Sequence, residues 1–166
     1  MIIGYVLIAL VLCFGLVVFI GPPYLPTLKP QVKAALDMLD LKEGQTLLEL
    51  GCGDGVVLVA AAQRGLQVVG IELNPVLVLV CKLRTWRYRK QVKVVMGNYW
   101  DIRLWGDPAK TDAIFGFVLP RYMSKLDKLI EKWRAGKPVD LASFAFKIPD
   151  RRIVREEQGV FLYEYK

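Results

Sequence analysis

The stretch from Thr46 to Glu72 constrains the fold of this chain more than any other part of it. Thr46–Leu50 (TLLEL) is apolar apart from Glu49, the pattern of a parallel strand covered on both faces. Gly51, Gly53 and Gly55 follow in alternation, with Cys52 and Asp54 between them. VVLVAAAQRG comes next, an apolar segment of helix length closed by Gly65 where a helix C-cap needs one. A second apolar strand, Val68 to Leu73 (VVGIEL), then carries Glu72. Strand, glycine turn, helix and strand in that order predict an open α/β sheet with right-handed crossovers. Such sheets bind ligands beyond the carboxyl ends of their strands. The loop spacing is E-x-G-x-G-x-G and lacks the third glycine of G-x-G-x-x-G, because position 56 is Val56. Glycines there let a ligand approach the backbone closely. Glu72, about twenty residues further on, is placed to accept hydrogen bonds from both hydroxyls of a ribose.

Beyond Glu72 the alternation continues. Asn74 and Pro75 open a helix as N-cap and first helical residue, and it is expected to run to about Arg89. Strands are predicted at Val92–Met96, Ala113–Leu119, Val139–Phe146 and Val160–Tyr165, with a helix from Arg121 to Ala135. The sum is a doubly wound, mostly parallel α/β sheet of Rossmann-like type. It is short at its C-terminus, since no full helix fits between Ile148 and Val160. The 166 residues leave room for one domain. Lys82, Arg84, Arg87, Arg89, Lys90 and Lys93 cluster around the end of the Asn74 helix. They fit either a solvated face that compensates the helix dipole or a patch against anionic headgroups or an acidic substrate.

From Ile2 to Ile20 the chain carries no charge, and at 1.5 Å per residue this run spans a hydrocarbon core of about 30 Å. It reads as one transmembrane helix. A cleaved signal peptide fits less well: no Lys or Arg precedes the apolar run, and Phe19-Ile20-Gly21-Pro22-Pro23 is a poor cleavage site. The expected organisation is an anchor over residues 1–21, a proline-rich neck with a short amphipathic helix over 22–44, and a catalytic domain over 45–166. The neck prolines are Pro22, Pro23, Pro26 and Pro30; Val32, Ala35, Leu36 and Leu39 form the apolar face of the helix. Lys29 and Lys33 are the first basic residues after the anchor, which predicts a single-pass membrane protein with its domain in the cytoplasm.

The apolar fraction, 54%, is concentrated in that first segment, and the net charge of +7 suits an anionic surface. Histidine is absent, which excludes Ser-His and Cys-His nucleophile pairs and His-ligated metals. Cys13, Cys52 and Cys81 form no CxxC pair, so neither a disulfide framework nor a metal site is expected, and a reducing compartment fits. Chemistry without histidine favours a cofactor that arrives already activated.

Glu49-Leu-Gly-Cys-Gly-Asp-Gly55 and Gly70-Ile-Glu-Leu-Asn-Pro75 resemble motifs I and II of class I SAM-dependent methyltransferases. More narrowly, the chain resembles the small family of membrane-anchored protein-lysine methyltransferases of mitochondria and their bacterial relatives. The likeness extends to P23-Y-L-P26, T85-W86-R87, N98-Y-W100, I114-F-G116 with Pro120, and F146-K-I-P149. It implies S-adenosyl-L-methionine (SAM) as cofactor, held by Glu49, Gly51, Gly53, Asp54, Gly55, Glu72, Leu73, Asn98 and Tyr99. The family carries an acid near the adenine amino group where this chain has Asn98, whose amide oxygen can accept the same hydrogen bond. The resemblance also implies lysine side chains of membrane-embedded proteins as the substrate class.

A methyl carried on a sulfonium transfers by in-line displacement, which asks for alignment and exclusion of water more than for acid–base groups. A lysine acceptor must arrive neutral, so an apolar channel is needed. Trp100, Phe115, Phe117 and Pro120, at or beyond strand ends, are the candidates to line it. Asp101 is the candidate to orient the amine, ahead of Asp112. Two alternatives stay open: methylation of a small or lipid-soluble acceptor such as a quinone or phospholipid, and a non-catalytic SAM-binding sensor or assembly factor. A nucleic-acid acceptor is disfavoured, because IFGFVLP stands where an N-P-P-Y or D-P-P-Y stacking motif would be.

Overall fold

The computed structural model describes residues 4–5 and 25–166. The expected transmembrane anchor lies outside the described residues. Among the described residues, no helix is long and apolar enough to cross a membrane.

The first element is helix α1, Lys29–Leu39, started by Pro30 at its N-terminus and ended at Asp40 in a left-handed conformation. Its buried side chains are Val32, Ala34, Ala35, Leu36, Met38 and Leu39, a wider face than the four-residue stripe of the sequence. They join the core formed with Leu47, Leu58, Ala61, Val68, Phe115 and Leu162. The helix expected in a segment leading to the domain is therefore one of the layers of its core.

Strand β1 is Thr46–Leu50, helix α2 Val56–Gln63, strand β2 Gln67–Glu72, helix α3 Pro75–Arg84 and strand β3 Val92–Met96. Strand β4 is Ala113–Gly116, helix α4 Met123–Arg134, and strands β5, β6 and β7 are Val139–Phe144, Arg155–Glu157 and Val160–Tyr165. They form one seven-stranded sheet in the order β3-β2-β1-β4-β5-β7-β6. The first five neighbours pair in parallel, while β7 runs antiparallel to both β5 and β6. The order reverses between β1 and β4, which opens a crevice at their carboxyl ends.

Alternation along β1 sets the two faces. Leu47 points to the core beneath α1, α2 and Cys81 of α3. Leu48 and Leu50 point to the other face, where Met123, Leu126, Ile130 and Trp133 of α4 pack with Trp105. Trp105 and Trp133 meet edge to face, their centroids 5.4 Å apart. Trp105 Nε1 donates to the Tyr99 carbonyl at 2.7 Å and Trp133 Nε1 to the Gly106 carbonyl at 3.2 Å. Two buried indoles thus fix the loop between β3 and β4, which carries the residues over the crevice.

Four expectations need correction. The Asn74 helix stops at Arg84 and not near Arg89, because the Thr85 hydroxyl turns back to the Cys81 carbonyl at 2.8 Å and the chain tightens into a 3-10 turn over Trp86–Tyr88. Strand β4 ends at Gly116, and Leu119 leads into a 3-10 turn at Pro120–Tyr122 that precedes α4. Strand β5 ends at Phe144, where Ala145 adopts a left-handed φ of 68°. Strand β6 is additional to the strands expected, since its three exposed charged residues carry no apolar signal; it is fixed by the tight turn Gln158-Gly159 back to β7. As the sequence predicts, no helix lies between β5 and β6. Instead Arg151 ties that segment down, pairing with Asp127 at 2.6 Å and Glu131 at 2.7 Å and lying 3.9 Å over the Tyr165 ring.

Candidate active site

The glycine turn leaves β1 in three left-handed steps, with φ of 81° at Gly51, 53° at Gly53 and 83° at Gly55, values that side chains other than glycine resist. Its first two amides are bound to the sheet: Gly51 and Cys52 both donate to the Ile71 carbonyl, at 2.9 and 3.0 Å. Gly55 is also the N-cap of α2, and a Cβ there would lie 2.6 Å from Cys81 Sγ. The turn is thus pressed against α3, and Arg84 of that helix pairs with Asp54 at 2.8 Å.

Glu72 closes the turn from the neighbouring strand. Its Oε2 accepts the Gly53 amide at 2.9 Å and its Oε1 accepts the Asn74 amide at 2.8 Å. Asn74 in turn accepts the Val76 amide at 2.9 Å and caps α3, as the sequence predicts. Each carboxylate oxygen accepts one backbone N–H and keeps a further lone pair for a ligand's hydroxyls. Glu72 is therefore both strut and candidate ribose ligand, and Leu73 follows it, half-buried, at the start of the turn into α3.

Glu49 lies one step back on β1, fully enclosed. Burial, followed by the neighbouring Cys81, Asp54 and Glu72, holds its carboxyl well above the ordinary glutamate range. Its Oε2 has no hydrogen-bond partner among the described residues. A buried oxygen without a partner costs free energy until a donor reaches it, and a cationic donor also lowers the proton affinity of the carboxyl. Such an oxygen beside a glycine turn fits the ammonium end of an amino-acid cofactor. Among the described residues no cluster of three or more His, Cys, Asp or Glu could hold a metal ion. Cys52 and Cys81 face each other with sulfurs 3.9 Å apart, and the Cys81 thiol together with burial pushes the Cys52 thiol up. Such surroundings disfavour a reactive thiolate at Cys52.

The loop after β3 covers the turn. The Tyr99 ring lies 3.8 Å from where a Cβ on Gly51 would stand, and burial pushes its hydroxyl up to about 12. Tyr99 and Trp100 are 4.8 Å apart between centroids, Trp100 and Tyr122 5.5 Å, and Lys125 Nζ sits 4.2 Å over the Trp100 ring. Asn98 is exposed, and its Oδ1 accepts the Trp100 amide at 3.0 Å, leaving one lone pair for an adenine amino group. Asp101 caps the 3-10 turn Ile102–Trp105 and takes a two-pronged contact from Arg103 at 2.8 and 2.7 Å. The Arg103 guanidinium holds its carboxyl below the ordinary range, which suits an orienting anion and not a proton acceptor. Asp112 stands at the opposite end of the sheet, accepting the Gln45 side chain and the Thr46 amide, so its task is structural.

The expected channel residues separate. Phe115 is 1% exposed and points into the core beneath the helices, because it shares the face of Glu49 along β4; it lines no channel. Phe117 lies past the strand end, 4.9 Å from Phe144 and 6.1 Å from Phe146 between ring centroids. Pro120 is exposed and opens the turn that presents Tyr122. Tyr122, Lys125 and Phe144 escaped sequence reasoning, and Phe146 entered it only as a strand end and in the F146-K-I-P149 likeness, not as a site residue. Aromatics at the carboxyl end of β5 and at the start of α4 were the signal available for three of them.

Residues 49–155 match the profile of the ANTKMT methyltransferase domain. The chain is similar to the ATP synthase C-subunit lysine N-methyltransferase of Xenopus laevis, 34% identical over 111 residues, covering 66% of this chain and 47% of the relative. It is also similar to the adenine nucleotide translocase lysine N-methyltransferase of Mus musculus, 41% identical over 66 residues, covering 39% and 28%. Among solved structures, an RNA methyltransferase from Salinibacter ruber in complex with S-adenosyl-L-homocysteine superposes with a TM-score of 0.70 at 26% identity, covering 85% of this chain and 92% of that one. The chain spans about half the length of the first of these curated relatives.

Proposed function

This chain belongs to the ANTKMT methyltransferase domain family, and from that premise we propose that it transfers the methyl group of SAM to a lysine side chain of a membrane-embedded protein. The observation that carries the cofactor half is the carboxylate of Glu72, whose two oxygens fasten the glycine turn and still face it with free lone pairs. Glu49 supplies the complementary feature, a buried oxygen awaiting a donor. Glu49 and the glycine turn would hold the methionine part, Glu72 the ribose, and Asn98 with Tyr99 the adenine side. When bound, SAM supplies a methyl already activated on a sulfonium.

The protein's share is then placement and dryness. The ring clusters Trp100–Tyr122 and Phe117–Phe144–Phe146 offer apolar surface that disfavours a charged amine, so a lysine bound against it is driven toward its nucleophilic neutral form. Asp101, kept anionic by Arg103, orients the amine. The lysine acceptor is supported by the two curated relatives, both lysine N-methyltransferases, and the membrane setting by the uncharged run from Ile2 to Ile20, which we propose as an anchor with the domain on the cytoplasmic side.

The test is transfer of labelled methyl from SAM to isolated membranes by the full chain, followed by fractionation. Label in protein that is released as N-methyl-lysine on hydrolysis is the expected result. Label in the lipid fraction or in RNA, the acceptor for which the Salinibacter ruber neighbour is named, would overturn the lysine assignment while leaving the cofactor assignment standing.

A further inference from the structure

Helix α3 has two faces with different tasks. One is buried, with Leu77, Val78 and Cys81 against the sheet and Cys81 against the glycine turn. The other presents Leu79, Leu83 and Trp86 at helical spacing, 59%, 66% and 64% exposed, with Val80 beside them. Large apolar side chains scattered singly need no explanation, but these lie in one stripe on one helix and its following turn. Apolar residues in water flanked by cations describe an interfacial helix.

The cations are present and unspent. Lys82, Arg87, Lys90 and Lys93 are exposed and, among the described residues, none is in an ion pair; of the cluster, Arg84 pairs with Asp54 and Arg89 donates to the Trp86 carbonyl. Arg89 lies 5.0 Å over the Trp86 ring and so joins the stripe to a cavity of about 330 Å³ at the amino end of the sheet. Arg89, Lys90, Lys93 and Lys110 line that cavity, with Asp107 as its single acid. Arg89 is thus common to the end of the apolar stripe and the lining of the basic cavity.

We propose that this surface seats the domain on an anionic phospholipid bilayer, with Leu79, Leu83 and Trp86 entering the headgroup boundary and the Arg89–Lys93 cavity accepting a lipid phosphate. The choice of lipid over an acidic protein follows from a stripe of large exposed apolar side chains flanked by unpaired cations, the composition of an interfacial helix. The consequence is positional. The opposite face of the same helix touches the glycine turn, so the cofactor loop lies about one helix diameter, roughly 10 Å, from the membrane surface. The inference stands apart from the identity of the acceptor and from whether residues 2–20 cross the bilayer.

All four tryptophans, Trp86, Trp100, Trp105 and Trp133, lie in the domain, so their emission is silent about the N-terminal segment. The experiment adds the full chain to vesicles of brominated phosphatidylcholine, with or without phosphatidylserine, and measures quenching of tryptophan emission. Quenching is expected with phosphatidylserine, is expected to fall when salt is raised to about 1 M, where screening acts within about 3 Å, and is expected to lose its major part in Trp86→Phe. Leu83→Glu, a change at an exposed position, is expected to reduce it likewise, with an unchanged thermal transition showing that the domain is folded. Equal quenching in wild type and Trp86→Phe, or quenching indifferent to phosphatidylserine, overturns the proposal. So does an unquenched domain on vesicle-bound chain, the result a protein-docking face would give.

Discussion

Replacing Glu72 by Gln tests whether this side chain is a strut as well as a ligand. In the structure both oxygens accept backbone amides, Gly53 at 2.9 Å and Asn74 at 2.8 Å, and the side chain is 8% exposed. Glutamine keeps one acceptor and replaces the other with an NH2, so one amide must face a donor. Losing a hydrogen bond to a buried charged acceptor costs about 1.5–3 kcal/mol. For a domain of this size each kcal/mol lowers Tm by about 2–4 °C, so a drop of roughly 3–12 °C is expected without any ligand. Circular dichroism melts of the two proteins at equal concentration measure it, with Glu164→Gln, exposed on β7 and paired with the exposed Lys166, as a control whose shift should be small. An unchanged Tm for Glu72→Gln would refute the strut role and leave Glu72 as a ligand only.

Other consequences follow from the same geometry. Gly55→Ala places a Cβ 2.6 Å from Cys81 Sγ at a left-handed φ of 83°, and is expected to destabilise by about 2–4 kcal/mol in urea unfolding; an unchanged midpoint would show the turn to be slack. Glu49 has its folded-state pKa raised above the ordinary 4.5, so above that pH the folded chain holds a proton that the unfolded chain releases, and stability falls as pH rises. Glu49→Gln should therefore flatten the fall in Tm as pH rises above the unfolded value, while weakening SAM binding; parallel pH profiles would exclude Glu49 as the titrating group. Asp101→Asn is expected to lower the rate of methyl transfer with SAM affinity kept, and an unchanged rate would remove Asp101 from the mechanism.

Much of this arrangement was legible in the residues themselves. β1 and β3 fall where apolar runs begin and end, and the glycine turn, Asn74 cap and Glu72 follow from local rules that tertiary packing reinforces. What was hidden depends on contacts between distant segments. Phe115 looked like a strand-end aromatic, but its face is decided by pairing with Glu49. The Trp86 turn looked like continued helix until the Thr85 hydroxyl claimed the Cys81 carbonyl. Strand β6, all charge, exists only because β7 offers it a partner. The double duty of Glu72 also needed coordinates, since the sequence places the acid near a ribose but says nothing of the amides it already holds.

The most direct test of SAM binding at the glycine turn is calorimetric titration of SAM into the full chain and into Glu72→Gln, at a temperature where circular dichroism shows both folded. One SAM per wild-type chain is expected, with an affinity at least about tenfold weaker in the variant, or about 1.4 kcal/mol. Equal affinity in the two proteins, or no heat of binding from a folded wild type, would contradict the assignment of Glu72 and the glycine turn as the cofactor site.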